Sequence, residues 1–467
     1  MESVLILLAL ALPIALGGLW LSVLVPADTP ARIPLIWGHG ALLGLVFVPQ
    51  FLWLQNALGL ALSFAFPATI STILIIAAIV MLGRRENVLG AAQPELRALR
   101  KITVAEKWLF MLLLTLLIVR LALLGTEVFL RPLFPWDATM HWATKAKVWF
   151  EYRSIVPFTD NLSWLQAFGE GVFTDRHPNY PSTIPLLQVW MNLAAGEWNE
   201  SLMNLPWLVC LAALGGAFYS QLRIAGVEPT LTMVFTYFLL SMPLINTHVA
   251  LAGYADLFVG AAYCAALMAL HNWVSGKQAW QRALLLLFAL CLLRLKIEGY
   301  LWALLLAPGL IVALAPKHAV IRLAGIGILC VIGLVVLRQV APESLHPFLQ
   351  QFTPFSMKGL MGIIKSAFLH ANWHLFTYLL PMVAALSLLL PLSVLQTYRG
   401  IATTLFISVG AFLFLFLFTV FSLGSANFTG VGRLSIQLAP GLMFFCALLS
   451  NEILVRQVWP AKGTQHR

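Results

Sequence analysis

Charge is what this chain has least of. Of its 467 residues only 10% are Asp, Glu, Lys or Arg, while 61% are apolar. Soluble proteins carry roughly 25% charged residues, and the mean hydropathy here is +0.90. A chain so short of polar surface cannot cover itself in water, which excludes a string of soluble domains. Cysteine is scarce too. The five present (Cys210, Cys264, Cys291, Cys330 and Cys446) all stand in apolar stretches, with no CxxC pair. That excludes a disulfide framework and a thiolate metal site, and leaves small buried hydrophobes. The N-terminus, MESVLILLALALPIALGGLWLSVL, has no basic residue ahead of its apolar run. A retained first span is therefore expected rather than a cleaved signal peptide. The net charge of +10 does not argue for nucleic acid, because membrane proteins concentrate Lys and Arg in cytoplasmic loops.

What the chain has in abundance is span-length apolar sequence. A helix needs about 20 mostly apolar residues to cross a bilayer, fewer where it is broken. Such segments lie near Val4–Leu24, Leu35–Leu54, Leu58–Leu82, Trp108–Leu124, Leu202–Leu222, Leu231–Ile245 and Leu257–Trp273. They continue near Ala283–Leu295, Tyr300–Leu314, Ile321–Leu337, Leu375–Leu395, Ile401–Phe421 and Leu434–Leu449. The expectation is an all-α polytopic membrane protein with about 13 transmembrane helices. The linker 84–107 holds Arg84, Arg85, Arg97, Arg100, Lys101 and Lys107, which places it in the cytoplasm. Alternating from there puts Arg223, Lys277, Arg282, Lys317, Arg322, Arg399, Arg456, Lys462 and Arg467 on the same side. The N-terminus is then outside and the C-terminus cytoplasmic. Ala283–Leu314 is the delicate step. It would make roughly 48 Å of continuous helix, and basic residues flank both ends. Two short spans meeting at Lys296-Ile297-Glu298-Gly299 on the outer face are expected; a single span would invert everything downstream.

Two segments fall outside the spans, about 130–200 and 340–372. The first carries seven of the 18 carboxylates, Asp137, Glu151, Asp160, Glu170, Asp175, Glu197 and Glu200, and long loops of this kind are where function collects. It opens with PWDATMHWATKAKVWFEY. At helical spacing Trp142, Ala146, Trp149 and Phe150 make one apolar stripe, with Asp137, His141, Lys145 and Tyr152 opposite. This suits an interfacial helix with its tryptophans at headgroup depth. Asp137 at its start can face both lipid and water, or it can simply cap the helix. His177, Pro178, Tyr180, Pro181 and Pro185 form a rigid turn. Asp137, His141 and His177 make a conceivable metal site whose spacing is not diagnostic. At span ends stand Asp256, Lys296, Glu298 and Arg433. Ionisable groups bordering apolar segments are costly and mark function by default, although Lys296 can pair with Glu298 and Arg433 can snorkel. Arg120 and Arg294 lie deeper in spans, where burial against an acceptor is the default.

At these motifs the sequence resembles the GT-C superfamily of polytopic glycosyltransferases, such as protein O-mannosyltransferases and aminoarabinose transferases. It is most similar to bacterial members with a WDA…HW…KAK first loop. The matching residues are Trp136-Asp137-Ala138, His141-Trp142, Lys145-Ala146-Lys147, His177-Pro178-Asn179-Tyr180-Pro181, Gly253–Leu257, Lys296-Ile297-Glu298-Gly299 and Arg433-Leu434…Pro440. The resemblance covers about residues 108–455, with 1–83 as a three-span N-terminal extension, 84–107 as linker and 456–467 as cytoplasmic tail. It implies a GT-C-like enzyme of the bacterial plasma membrane that moves a sugar, with inversion, from a polyprenyl-phosphate donor to a lipid, glycan or protein acceptor on the outer face. The implied roles are Asp137 as base, Lys296 and Arg433 on the donor phosphate, and Asp256, His141, His177, Tyr180 and Glu298 orienting substrate. No metal or other cofactor is implied. Two departures stand out. Asp137 is followed by Ala138 where such loops often carry a second carboxylate, and Asn204 stands where many relatives place an arginine. A transporter or flippase, or an inactive scaffold of the same fold, are the other readings.

Overall fold

A computed structural model describes residues 2–84, 93–169, 172–316, 318, 321, 322, 325, 327, 329, 350–370 and 372–458. The described residues are mostly helical. The first helices are α1 (Glu2–Leu24), α2 (Arg32–Ala57), α3 (Ala65–Gly83), α4 (Gln93–Lys101) and α5 (Val104–Leu130). A loop follows, holding a π-helical turn (Ala138–Ala143), α6 (Thr144–Tyr152), β1 (Phe158–Thr159), α7 (Asn161–Gln166), β2 (Phe173–Thr174) and α8 (Thr183–Ala195). The two short strands pair in parallel. Next come α9 (Leu205–Ile224), α10 (Pro229–Ser241), α11 (Pro243–Ala250), α12 (Asp256–Gly276), α13 (Ala279–Leu295) and α14 (Ile297–Leu314). The remainder is α15 (Met357–Ile364), α16 (Phe376–Ser387), α17 (Leu392–Thr397), α18 (Arg399–Phe418), α19 (Ser422–Ala426) and α20 (Val431–Val458).

Among the described residues nine helices are long and apolar enough to cross a membrane, or ten counting a bent pair as one span. This is an all-α polytopic membrane protein. Two expected spans differ in form. Leu231–Ile245 is broken by a 52° bend between α10 and α11. Pro243 has no N–H to continue the ladder, and Met242 before it turns extended, at φ −58° and ψ 122°. Leu375–Leu395 divides into α16 and α17 around Pro391. Most of Ile321–Leu337 lies outside the described residues, as do Arg85, Glu170, Lys317, Cys330, the start of the 340–372 segment and most of the 456–467 tail.

Contacts settle which helix ends lie together. At one end the loop packs on the bundle: Trp190 donates to the Ala9 carbonyl, Gln50 meets Thr183 and Arg294, and Trp207 donates to the Tyr254 carbonyl. At the other end α4 is tied down through Glu95, which accepts from Tyr219 and Arg223. These are called the loop end and the linker end. The chain reverses at Lys296. That residue is extended, at φ −160° and ψ 160°, and reaches Asp256 at the loop end, whereas Ala313 accepts from Arg399 and lies beside Gly400 and Leu270 toward the linker end. Gly299 permits so tight a return, because a Cβ there would stand 2.0 Å from the Leu292 carbonyl oxygen.

The core is centred on α12, buried along nearly its whole length against α9, α13 and α20. Between α2, α9, α12 and α13, the buried side chains of His39, Gln221, Asn272 and Gln281 satisfy one another, as polar groups away from water must. Helices α1 and α2 pack on α8 and α9, and α3 packs on α1 and α2. The apolar stripe of the first loop forms as expected, but it does not face lipid. Trp142, Ala146, Trp149 and Phe150 are all buried, and α6 rests on α8. Trp149 donates to the Val156 carbonyl and Tyr180 stacks on Trp142, so the tryptophans belong to the protein interior and not to the headgroup layer.

A candidate active site at the loop end of the bundle

Asp256 is the centre of the site. It opens α12, where a carboxylate also suits the positive end of the helix dipole. Its side chain has no solvent exposure, so each oxygen must find donors within the protein. Oδ1 accepts from Lys296 Nζ at 2.9 Å and from Gln437 Nε2 at 2.6 Å, and Oδ2 accepts from Arg433 Nε at 3.1 Å. Three elements therefore converge on one carboxylate: the start of α12, the reversal between α13 and α14, and the first turns of α20.

Arg433 extends the cluster outward. Its Nη1 donates to Asp137 Oδ2, and its guanidinium stacks 4.3 Å over the Tyr254 ring. Asp137 comes from the first loop, immediately before the π-helical turn. Its backbone is helical and its carboxylate makes no capping bond, so it is not a helix cap: its polar partner is Arg433. Such turns place one extra residue in the helical repeat and are frequent at functional sites. Lys296, 3% exposed, also pairs with Glu298 Oε1 at 2.9 Å. The five ionised side chains are three carboxylates (Asp137, Asp256, Glu298) and two cations (Lys296, Arg433), giving a formal charge of −1. Exposure rises from Asp256, at zero, through Arg433, at 20%, to Asp137, at 35%. The accessible members are the Arg433–Asp137 pair and, on the Lys296 side, Glu298.

A second cluster clasps the loop beside it. Asp175, buried, accepts from His141 Nδ1 and from the His177 backbone N–H, and its Oδ2 lies 2.7 Å from Lys145 Nζ. Lys145 also donates to the His177 carbonyl at 2.7 Å. Burial alone would raise the Asp175 carboxyl, but the Lys145 ammonium, the His177 N–H and His141 hold it below its ordinary value. Burial lowers Lys145, partly offset by Asp175, and burial with the neighbouring His141 lowers His177. Tyr180 stacks 4.6 Å from the His177 ring and 5.1 Å from the Trp142 ring, and burial raises its phenol. The expected polar face of α6 is thus used inside the loop: His141 and Lys145 brace Asp175.

The sequence-read residues therefore fall in two adjoining groups. Asp137, Asp256, Lys296, Glu298 and Arg433 share one network. His141, His177 and Tyr180 join the loop clasp. Among the described residues no three His, Cys, Asp or Glu side chains converge to hold a metal; Asp137 is taken by Arg433 and His141 by Asp175. Arg120 donates to Asn246 Oδ1 at 3.0 Å and Arg294 to Gln50 Oε1 at 2.7 Å, so both act as ties between helices. Asn204 is buried and donates to the Glu200 carbonyl. Sequence reading missed Gln437, Tyr254, Asp175 and His248. Gln437 had a signal: it stands one helical turn after Arg433 in an otherwise apolar span. No model of a known protein family matches the chain, and neither a curated protein nor a solved structure does.

Proposed function

We propose that this protein is an inverting glycosyltransferase of the bacterial plasma membrane, using a polyprenyl-phosphate sugar at the loop end, which is the outer face. The observation that carries the reading is the shared arginine. Arg433 is anchored from behind by buried Asp256 and carries partly exposed Asp137 on its open side. At a formal charge of −1 the cluster does not attract an anion as it stands. A donor phosphate is accommodated by exchange: it takes the place of Asp137 on Arg433, with Lys296 adding positive charge from behind. The exchange also frees Asp137. The acceptor hydroxyl, on a lipid, glycan or protein, then attacks the anomeric carbon and gives its proton to Asp137, while the bond from that carbon to the phosphate oxygen breaks and its electron pair leaves on the phosphate. Arginine supplies charge-assisted hydrogen bonds as charge builds there, and the carboxylate acts as general base.

Release of free polyprenyl phosphate from purified protein in nanodiscs tests the reading. Arg433→Ala and Lys296→Ala should each slow release by about 10²–10³, by analogy with losing one donor to a developing anion. Asp137→Asn should slow it by about 10²–10⁴ while tightening donor binding, since a neutral amide no longer competes with the phosphate for Arg433. Near wild-type turnover in all three, with the variants still folded by size-exclusion chromatography, refutes it. A transporter is favoured by one observation, the 52° break between α10 and α11, since broken helices build transport sites. Those sites lie at mid-membrane, whereas the ionised cluster here stands at span ends. Net flux of a lipid-linked sugar without bond cleavage would favour transport.

A further inference from the structure

His248 lies on α11, just past the bend at Pro243, and is 8% exposed. Its Nδ1 stands 3.0 Å from the Leu244 carbonyl oxygen. A carbonyl only accepts, so Nδ1 carries the ring proton and Nε2 of the neutral ring is a bare lone pair. That nitrogen is buried, and no group among the described residues donates to it. Buried acceptors without a donor destabilise a fold and are uncommon. This one is not remote from the site. The His248 ring lies 5.6 Å from the Tyr254 ring, on which Arg433 is stacked. A second bare acceptor flanks the same ions: Glu298 Oε2 is buried without a donor, while Oε1 takes Lys296.

Two cations and two acceptors without donors thus share one neighbourhood: His248 abuts the Tyr254 ring under Arg433, and Glu298 shares Lys296 with Asp256. Cations suit an anion, and acceptors suit hydroxyl groups. A single molecule carrying both is a sugar phosphate. We infer that His248 Nε2 and Glu298 Oε2 accept hydrogen bonds from hydroxyls of the donor's sugar, while Arg433 takes its phosphate. This rests on the lipid-phosphate-sugar reading and adds to it a sugar-binding residue that had no role. A proton on Nε2 would abolish the acceptor, so discrimination for the sugar should fade in acid. The charged and titratable groups around the ring are Asp256, Lys296 and Arg433, with Tyr254 beside it and Arg120 held through Asn246 on the same helix.

The test measures binding to the full-length protein in nanodiscs, with undecaprenyl phosphate and its glucosyl, mannosyl and arabinosyl phosphodiesters as probes. Wild type should bind at least one sugar-bearing probe about tenfold more tightly than the bare carrier, the gain of one or two good hydrogen bonds. His248→Ala should cut that margin to about twofold or less without changing the bare carrier's Kd. His248→Gln, which places a carbonyl oxygen near the Nε2 position, should restore the margin and remove its loss in acid. If His248→Ala keeps the margin, or loses the bare carrier as well, the hydroxyl subsite is wrong and the phosphate reading is untouched. If wild type binds no probe, bare carrier included, the donor reading fails and the subsite with it.

Discussion

Replacing Asp256 with alanine should damage the fold more than any other single change in the cluster. The substitution deletes the acceptor of three bonds, from Lys296 at 2.9 Å, Gln437 at 2.6 Å and Arg433 at 3.1 Å. Arg433 keeps Asp137 and 20% exposure, so water can replace much of what it loses. Lys296 is worse placed, 3% exposed with only Glu298 left. Orphaning one member of a buried ion pair costs about 3–5 kcal/mol. Because Lys296 retains one carboxylate the lower figure applies, about 3 kcal/mol or roughly a hundredfold in the unfolding equilibrium. The assay is denaturant unfolding in mild detergent, followed by tryptophan fluorescence. A second variant, Asp256→Ala with Lys296→Met, removes the stranded cation and should recover about 1 kcal/mol or more over the single change. Two results would sink the reasoning: a cost below about 1 kcal/mol for Asp256→Ala, or a double variant that merely sums the two singles.

Three further outcomes are expected. The loop clasp should loosen in acid in two stages. Burial lowers His177 from its ordinary 6.5, so the unfolded state takes up the proton first and stability begins to fall below that pH. Asp175 is held below 3.8, so its contribution is complete above the unfolded value and is lost as pH falls through the folded one. Hydrogen exchange across residues 141–182 should show both stages, with Asp175→Asn removing the second. Gly44→Val should split α1 from α2, because a Cβ at Gly44 would stand 1.9 Å from the Pro13 carbonyl oxygen; intact folding of that variant would contradict the close approach. A cysteine in place of Tyr300, 53% exposed just after the Lys296 reversal, should react with a membrane-impermeant thiol reagent added outside, and reaction only from the cytoplasm would invert the topology.

The site was legible where ionisation made it expensive. Asp137, Asp256, Lys296, Glu298 and Arg433 stood out because a charge beside an apolar span demands a reason, and all five share one network. The reversal at Lys296 was legible for a similar reason, since basic residues flank both ends of a stretch too long for one span. Neutral groups left weaker traces. His248 reads as one more histidine in an apolar helix, and only the Leu244 carbonyl beside it fixes its tautomer. Asp175 matters because the loop folds back on itself, a long-range event with no local pattern. Periodicity found the stripe of Trp142, Ala146, Trp149 and Phe150, but it cannot distinguish protein from lipid as the partner. The break at Pro243 was readable from the proline, yet mean hydropathy across Leu231–Ile245 smoothed it over.

The end-on position of the ion cluster has an electrical consequence. A unit charge carried across the whole bilayer gains or loses about 2.3 kcal/mol per 100 mV of membrane potential. Asp256 is the first residue of α12, Arg433 stands in the first turn of α20, and Lys296 fills the reversal between two helices. The proposed swap of a carboxylate for a phosphate at that edge would move almost no charge along the membrane normal, so the field would do almost no work on it. The transfer proposed above would then be insulated from bioenergetic state: a collapse of the proton-motive force would leave that step unslowed as long as a lipid-linked donor still arrived.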